Sequence, residues 1–491
     1  MLSDLLTTTA GLLHDFSPHF IGFLTLVMAL AASMHVLLNK RDTRAATGWI
    51  GLIWLAPVLG AVLYLLFGIN RIRRKAARLR KNASMLRFAD CCEPAGEREI
   101  LDAVGANHGR MFSLAKMTDR LTRRPLLSKN RIVPLLGGDQ AYPAMIQAIN
   151  KAERSITLAS YIFANDRAGS EFKSALASAV RRGIRIRVLL DAVGARYSMP
   201  PITSSLQRAG VRVARFMPTY APWRMPYMNL RNHRKIMVVD GRTGFTGGMN
   251  IDQNCLSDGD DRPKVRDLHF KVEGPVVAEM QEVFAEDWLC ATGEQLSGES
   301  WFPQLRPAGN TVVRAIADGP DEDFDKLRWT LLGALECAER SVAVVTPYFL
   351  PDEALATALS VAAMTGIRVD IILPERSNLR LVQWASTPLL PELLSHRCRI
   401  WLTPAPFDHS KLMIVDSSWV LLGSGNWDSR SLTLNFEFDL ECYGRDLAGE
   451  LEKLIEDKRS SAKELRREDL LGRNLLVRLR DSAARLLSPY L

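Results

Sequence analysis

The sequence Asn232-His233-Arg234-Lys235-Ile236-Met237-Val238-Val239-Asp240 places a histidine and a lysine two residues apart, directly before an apolar run. Residues two apart in a strand leave the same face, so we expect the imidazole and the ammonium group side by side. Gly247-Gly248-Met249-Asn250 follows shortly afterwards. One such pair beside a strand is more often an exposed sheet edge than an active site, so this stretch alone predicts only a buried strand.

A second copy of this stretch lies near the carboxyl end of the chain. His409-Ser410-Lys411-Leu412-Met413-Ile414-Val415-Asp416 repeats the pattern, and Gly423-Ser424-Gly425-Asn426 follows at the same distance from its histidine. The flanking segments are also repeated: Glu153-Arg154-Ser155 by Glu339-Arg340-Ser341, and Gly183-Ile184-Arg185 by Gly366-Ile367-Arg368. Both copies lie among alternating strand and helix signals, which are typical of βαβ units. The sequence therefore predicts an α/β fold with two repeats that share one site.

Two long apolar runs precede the repeats. Phe20–Leu38 and Thr47–Ile69 contain no Asp, Glu, Lys or Arg, and each is long enough to cross a hydrocarbon core of about 30 Å as a helix. The residues before the first run carry Asp4 and Asp15 but no Lys or Arg, which is unlike a cleaved signal peptide. The sequence predicts two transmembrane helices.

A dense basic cluster, Arg71–Lys81, follows the second run and contains no acidic residue. Basic residues flanking a membrane segment favour the cytoplasmic side, and they attract anionic headgroups. We therefore expect the repeats on the cytoplasmic side, held against the inner leaflet. The loop between the runs is also basic, with Lys40, Arg41 and Arg44, so a hairpin that dips into one leaflet is the alternative.

The composition describes a globular chain with an anionic partner. The 491 residues are 47% hydrophobic and 24% charged, which predicts about two or three domains, and the net charge is +9. Nucleic acid, a membrane surface and a phosphorylated small molecule all fit this charge. Seven cysteines are scattered without a CxxC pair, which indicates a reducing compartment and neither a disulfide framework nor a structural zinc site.

The predicted domain boundaries follow the apolar runs, the basic cluster and the two repeats. They are a membrane hairpin at 1–70 with helices at about 20–38 and 47–69, a basic segment and linker at 71–129, two repeats at 130–290 and 291–450, and an amphipathic tail at 451–491. In the tail, Leu471, Leu475, Leu479 and Leu486 fall on one side, with arginines elsewhere. This pattern predicts either an interfacial helix or a cap on the second repeat.

The paired His-x-Lys-x4-Asp motifs, each followed by a small-small-x-Asn segment, resemble the phospholipase D superfamily over about residues 130 to 445. Other stretches are similar to the bacterial cardiolipin synthases: the paired N-terminal apolar runs, Tyr161-Ile162-Phe163, Thr346–Asp352, Gly423–Ser431 and Leu434-Asn435-Phe436-Glu437. The resemblance implies two phospholipase D-like domains packed as a pseudo-dimer, and a protein of the bacterial inner membrane. Asp408 and Ser410 depart from its pattern beside the second histidine, and Asn378 stands where Asp is common.

The residue types of the two motifs suit phosphodiester exchange. The reaction needs a nucleophile, an acid for the leaving oxygen, and positive charge around the nonbridging oxygens. His233 and His409 suit the first two roles, because an imidazole changes charge near neutral pH. The phosphate is expected to be surrounded by Lys235, Lys411, Asn250, Asn426 and Ser424. The sequence predicts no metal and no cofactor, because carboxylates and histidines do not cluster at metal-ligand spacing around these motifs.

The resemblance implies that His233 forms a phosphatidyl-histidine and that His409 acts as general acid and then as base. We expect Glu437 to orient His409 and Asp267 to orient His233, because both carboxylates precede a similar strand, ending at Gly444 and Gly274 respectively. Asp240 and Asp416 close the two motifs. They are assigned to the catalytic set, with strand-end turn residues as the alternative.

The resemblance implies transfer of a phosphatidyl group from one phosphatidylglycerol to another, with anionic membrane lipids as partners. Another acceptor, or water, would make the protein a different transferase or a phospholipase D. A membrane-tethered nuclease suits the net charge, but aromatic-interleaved basic stripes are missing near the motifs, so nucleic acid is not expected. A noncatalytic membrane scaffold is not expected either, because both motifs keep their His, Lys and Asn residues. Just before the first motif, four bulky residues predict either an apolar lip for lipid or ordinary core packing: Tyr220, Trp223, Met225 and Tyr227. The sequence does not indicate an oligomeric state.

Overall fold

The computed structural model describes residues 2–40, 43–65, 92–105, 109–217, 230–257, 265–320, 325–488 and 491. The chain divides into two compact units, Met1–Arg74 and Lys75–Leu491. Two predicted features, the basic cluster Arg71–Lys81 and the apolar lip from Tyr220 to Tyr227, lie outside the described residues.

In the N-terminal unit, the described residues form helices α1 (Leu2–Asn39), α2 (Thr43–Leu55) and α3 (Pro57–Leu63). Phe20–Asn39 is long and apolar enough to cross a membrane, as expected for the first run. The second predicted helix is wrong as a continuous element: it breaks at Ala56, because Pro57 has no amide hydrogen and its ring clashes with the preceding turn. Neither α2 nor α3 is long enough to span alone, so the described residues contain one candidate span rather than two.

The broken second segment packs against α1 within this unit. Val36, Ile53 and Tyr64 are buried together in a small apolar core. The Tyr64 hydroxyl lies 2.8 Å from Nδ1 of His35, so the polar groups of the two side chains satisfy each other within an apolar hairpin.

The second unit is built on a long mixed sheet in which the strand order of the first repeat recurs in the second. The first repeat contains β1 (Leu127–Leu136), β2 (Ser155–Ser160), β3 (Arg185–Asp191), β4 (Arg212–Phe216), β5 (Arg231–Asn232), β6 (Ile236–Val239), β7 (Thr243–Gly247), β8 (Val265–Arg266) and β9 (Leu268–Glu273). Its spatial order is β1-β9-β7-β6-β2-β3-β4, and β2, β3 and β4 are parallel. All four residues of β6 are buried, as expected for the apolar run after His233.

The second repeat contains β10 (Thr311–Asp318), β11 (Ser341–Val345), β12 (Phe349–Leu350), β13 (Arg368–Pro374), β14 (Arg399–Thr403), β15 (Phe407–Asp408), β16 (Leu412–Val415), β17 (Trp419–Gly423), β18 (Trp427–Asp428), β19 (Asn435–Tyr443) and β20 (Lys463–Glu464). Its order, β10-β19-β17-β16-β11-β13-β14-β20, matches the first repeat strand for strand except for β20. β1 and β10 pair antiparallel and join the halves into one sheet. The predicted double α/β repeat is confirmed.

Helices cover the sheet and complete the apolar core. They are α4 (Glu97–Val104), α5 (Gly109–Thr122), α6 (Gly137–Lys151), α7 (Arg167–Arg181), α8 (Thr203–Arg208), α9 (Val277–Thr292), α10 (Lys326–Cys337), α11 (Glu353–Met364), α12 (Arg380–Ser386), α13 (Leu390–Ser395), α14 (Ser429–Thr433), α15 (Arg445–Ser460), α16 (Arg467–Leu471) and α17 (Leu475–Arg485). The predicted linker is part of this fold, because Met111 and Leu114 of α5 are buried in the same core as Leu331 of α10.

The tail helix α17 has two different faces. Its inner face packs on the second repeat, where Ala484 is buried with Ala385 and Leu389. Its outer face leaves the apolar side chains of Leu475 and Leu476 exposed at 65% and 73%. The cap predicted for this segment is therefore present, and the outward leucines leave the interfacial role open to test.

Candidate active site

Two short strand pairs cross between the repeats and bring the histidine motifs together. β5 pairs in parallel with β19, and the amide of His233 donates to the carbonyl of Phe436 at 2.9 Å. β15 pairs in parallel with β8, and the amide of His409 donates to the carbonyl of Arg266 at 2.7 Å. Each motif is therefore attached to the opposite repeat, and the site contains residues from both.

Each histidine contacts the carboxylate of the opposite repeat. Nδ1 of His233 lies 2.9 Å from Oε2 of Glu437, and Nδ1 of His409 lies 2.7 Å from Oδ2 of Asp267. The predicted pairing, Glu437 with His409 and Asp267 with His233, is wrong, although both carboxylates do contact a motif histidine. The prediction took partners from within each repeat, whereas the crossing strands align each histidine with the carboxylate strand of the other repeat.

These contacts define the protonation pattern of the imidazoles. A carboxylate accepts a hydrogen bond, so Nδ1 carries the proton and Nε2 is left with a lone pair. Burial and the neighbouring Lys411 lower the pKa of His409 to about 4. Burial lowers the pKa of His233 as well, against the attraction of Glu437. Both rings are thus mainly neutral at pH 7, and the neutral imidazole is the form that acts as a nucleophile or as a general base.

Glu437 is fixed by two donors besides His233. Ser424 Oγ donates to Oε2 at 2.6 Å, and Asn435 Nδ2 donates to Oε1 at 3.0 Å. Burial alone would raise the pKa of Glu437, but attraction to His233 and Lys235 holds that pKa below its usual value. Ser424 was predicted to bind the substrate phosphate. The structure instead places its hydroxyl on the carboxylate that orients His233.

Asp267 is packed against the glycine loop of its own repeat. A Cβ at Gly248 would lie 2.4 Å from Oδ1 of Asp267, so a larger residue at this position would displace the carboxylate. Oδ1 also accepts the amide of Leu268 at 2.8 Å, which leaves Oδ2 for His409. The small-small pattern of the sequence motif therefore has a steric cause in the first repeat.

The two motif lysines are buried beside their histidines. Lys235 Nζ donates to the carbonyl of His233 at 2.6 Å, and Lys411 Nζ donates to the carbonyl of His409. Lys235 and Lys411 are only 2% and 4% exposed. Burial lowers the pKa of Lys235 to about 7 and that of Lys411 to about 8. Two ammonium groups held in one buried site favour a bound anion, since they repel each other without one.

The two motif asparagines lie next to the site but differ in their contacts. Asn250 Oδ1 accepts the amide of Ile162 at 3.2 Å, which leaves its amide hydrogens available. Asn426 Nδ2 donates to Ser431 Oγ at 3.1 Å, and its buried Oδ1 has no hydrogen-bond partner among the described residues. A half-turn of this amide would let Oδ1 accept from Ser431 and free the NH₂ group for an anion.

Asp240 and Asp416 lie at the far ends of β6 and β16 and contact neither histidine. Asp240 accepts the amides of Glu153, Arg154 and Ser155 at 2.9, 2.7 and 2.9 Å. Asp416 accepts three amides of the equivalent turn, Glu339-Arg340-Ser341, at 2.8, 2.7 and 2.8 Å. Their assignment to the catalytic set is wrong. Five residue steps along each strand separate them from the lysines by roughly 16 Å, and they act as the strand-end turn residues of the alternative prediction.

The structure adds tyrosines that the sequence reasoning gave no role. The Tyr161 ring lies edge-on to His233 with centroids 5.1 Å apart, and the Tyr348 ring lies 6.0 Å from that of His409. The Tyr348 hydroxyl donates to Oδ1 of Asn378 at 2.8 Å. Their place after β2 and β11 was the available signal, because β2 pairs antiparallel with β6 and β11 with β16, so the end of each strand lies beside the start of the motif strand.

The unusual residue before the second histidine, Asp408, is part of a buried ion pair. Its carboxylate contacts Lys458 Nζ of α15 and accepts the amide of Ser410 at 3.0 Å. Burial would raise the pKa of Asp408, but Lys458 holds it below the usual value. The charge of Asp408 is thus compensated by Lys458, and Asp408 also acts electrostatically on Lys411.

Comparison with known proteins agrees with this geometry. The family model described as cardiolipin synthase, PLD-like domain, matches residues 145–288 and 331–458, and the model described as phospholipase D-nuclease N-terminal matches residues 27–68. The chain is 30% identical to cardiolipin synthase 1 of Bacillus anthracis over 96% of this chain and 94% of that protein. It is 32% identical to cardiolipin synthase of Geobacillus kaustophilus, with the same coverage.

The fold also matches a solved structure. Phosphatidylserine synthase of Haemophilus influenzae superposes with a TM-score of 0.60 at 17% identity, covering 77% of this chain and 100% of that one. At this identity the likeness shows the fold alone. With two matched domains and relatives that align over nearly its whole length, the chain belongs to the cardiolipin synthase family of phospholipase D-like proteins.

Proposed function

We propose that the protein transfers a phosphatidyl group from one phosphatidylglycerol to the terminal hydroxyl of a second, forming cardiolipin and releasing glycerol. The observation that carries this is the pair of histidines with crossed carboxylates, set between two buried lysines. This arrangement offers two positioned imidazoles and two cations to a single phosphodiester. Membership of the family supplies the lipid class.

In the proposed first step, Nε2 of His233 attacks phosphorus while the bond from phosphorus to the glycerol oxygen breaks. His409, protonated when the anionic substrate is bound, gives its Nε2 proton to the departing oxygen. In the second step, His409 takes the proton of the incoming hydroxyl, whose oxygen attacks phosphorus as the bond to His233 breaks. Glu437 supports the nucleophile in this scheme, because it stabilises the positive charge that develops on the His233 ring.

Lys235, Lys411, Asn250 and Asn426 are proposed to hold the nonbridging oxygens. Ammonium and amide donors placed on both sides of the phosphorus stabilise the charge that builds up in the transition state. The buried position of both lysines supports this role, since a phosphodiester would neutralise charges that burial disfavours.

The protein is proposed to act at the inner membrane of a bacterium with its repeats in the cytoplasm. The apolar hairpin supplies the anchor, and the basic cluster Arg71–Lys81 supports the orientation, because basic flanks stay on the cytoplasmic side. Anionic lipids would also attract this cluster. An anchored enzyme meets its substrate at the headgroup plane, where the reacting phosphate lies.

The test uses the full-length protein in vesicles of labelled phosphatidylglycerol. We expect cardiolipin and glycerol in equal amounts from the wild type. We expect a loss of at least 1,000-fold in His233→Ala and His409→Ala, because each removes a group that acts on the reacting atoms. Labelled lipid should stay bound to the protein only in His409→Ala, which keeps the nucleophile.

Other outcomes would assign another activity. Phosphatidic acid without cardiolipin would make the protein a phospholipase D, and nucleotide release from DNA or RNA would make it a nuclease. Trapping in His233→Ala instead of His409→Ala would exchange the roles of the two histidines.

A further inference from the structure

The proposed reaction brings two phosphates to one site, and the inference below rests on that reaction. The phosphodiester of the donor lies at the histidines and lysines, whereas the acceptor lipid brings an anionic phosphodiester of its own. That second phosphate is separated from the attacking hydroxyl by the three carbons of glycerol. Burying a second anion near the first is unfavourable unless further cations lie beside it.

Two arginines, one from each repeat, lie at the same edge of the site. Arg231 stands in β5, two residues before His233, and pairs in register with Asn435 of β19. Arg430 stands in α14, whose last residue is two positions before β19 begins. The crossing strand therefore brings Arg231 beside the segment that carries Arg430. Both arginines are half-buried.

The charges of these two arginines act on each other. Burial, and next the positive charge of Arg231, lower the pKa of Arg430 below its ordinary value. Two buried carboxylates interact electrostatically with the arginines and also accept backbone amides: Asp191 accepts the amide of Asn232 at 2.9 Å, and Asp428 accepts the amide of Ser431 at 2.7 Å.

Tyr161 connects this arginine pair to the reacting histidine. Both guanidinium groups act electrostatically on the Tyr161 hydroxyl, and the ring of Tyr161 lies 5.1 Å from that of His233. On its other side, Tyr161 lies 6.0 Å from Tyr197, which is 68% exposed. Tyr161 therefore lies between the ring of His233 and the exposed Tyr197, within electrostatic reach of both arginines.

We propose that Arg231 and Arg430 bind the phosphodiester of the acceptor lipid and present the hydroxyl of its headgroup to the phosphorus on His233. The ligand class is an anionic glycerophospholipid whose headgroup ends in an alcohol. Guanidinium groups suit this role because each can donate two parallel hydrogen bonds to a phosphate. The pair makes the site selective for a phosphorylated acceptor over water and simple alcohols.

The test compares two acceptors that compete for the same phosphatidyl-enzyme. Full-length Arg231→Gln and Arg430→Gln are assayed in mixed micelles of phosphatidylglycerol with ethanol in the buffer, and cardiolipin and phosphatidylethanol are measured together. We expect the ratio of cardiolipin to phosphatidylethanol to fall by about tenfold or more in each variant, because ethanol has no phosphate to hold. Arg430→Lys should recover part of the ratio, since it keeps the charge but not the paired donors.

Arg242→Gln is the matched control. Arg242 is exposed and follows β6 at the end away from His233, so the same change of charge there should leave the ratio as in the wild type. The ratio is measured within one sample, so partial unfolding of a variant lowers both products and does not shift it. Equal loss of both products in Arg231→Gln and Arg430→Gln would overturn the acceptor site while leaving the proposed function intact. Absence of cardiolipin from the wild type would instead overturn the proposed function.

Discussion

Lys235 and Lys411 are almost fully buried, and each places its ammonium beside the backbone of its own histidine. Burial disfavours the charged form, which is why the pKa values fall to about 7 and about 8. A bound phosphodiester favours the charged form again, so substrate binding is coupled to proton uptake. At the residue scale, these lysines therefore make affinity depend on pH.

The first prediction concerns this coupling. Below pH 7 both lysines are already cationic, whereas above pH 8 the free protein has lost much of that charge and must take up protons to bind an anion. We expect the affinity of His233→Ala for a short-chain phosphatidylglycerol to fall above about pH 8. Calorimetry at pH 8 in buffers of different ionisation enthalpy should show net proton uptake.

Adding Lys411→Met to that variant should reduce the uptake at pH 8, because one titrating ammonium is gone. Lys453→Met, on the exposed surface of α15, is the matched control and should leave the uptake as it was. If the two double variants take up equal numbers of protons, Lys411 does not titrate on binding and this account of the buried lysines is wrong.

At the element scale, β5 and β15 decide which groups meet, although each has only two residues. A strand this short has no periodicity to recognise, so sequence patterns detect the long strands and miss these. The second informative element is α17, whose inner face packs on the repeat while its leucines point outward. Arg473, Arg478 and Arg485 stand on the same segment, a combination that suits an anionic membrane surface.

The second prediction tests α17 as a membrane-contacting element. Replacing Leu475, Leu476 and Leu479 together by Gln should raise the apparent KM, expressed as mole fraction of phosphatidylglycerol in micelles, by about tenfold, because apolar burial in the interface is lost. The kcat should stay near that of the wild type, since these side chains are exposed and outside the active site.

The control for the tail replaces exposed apolar residues on another helix, Val361 and Met364 of α11, by Gln. This variant should keep the wild-type KM. An unchanged KM in the leucine variant would leave α17 as a cap on the second repeat only.

At the scale of the whole molecule, the pairing of β1 with β10 places both half-sites in one continuous sheet. Each half-site takes one strand and one carboxylate from the other repeat, so neither is complete alone. Because one chain supplies all four groups, the repeats stand in place of the two subunits of a symmetric dimer.

The third prediction follows from this internal pairing. Mixing full-length His233→Ala with full-length His409→Ala should not restore cardiolipin formation, because each chain pairs its repeats with each other and keeps one damaged histidine. The measurement is the rate of the mixture against the sum of the separate rates, after co-expression and after mixing. Recovery to a quarter or more of the wild-type rate would show that repeats pair between chains.

The sequence alone determined the repeat, the motif histidines, lysines and asparagines, and the first apolar span, because these depend on residue type and on local spacing. It also placed Glu437 and Asp267 among the functional residues, but with the wrong histidines. Tertiary structure decided that crossing, the turn-capping role of Asp240 and Asp416, and the contact of Ser424 with Glu437. Contacts between residues about 200 positions apart arise from strand pairing across the repeats, and such pairing leaves no periodic signal in either partner.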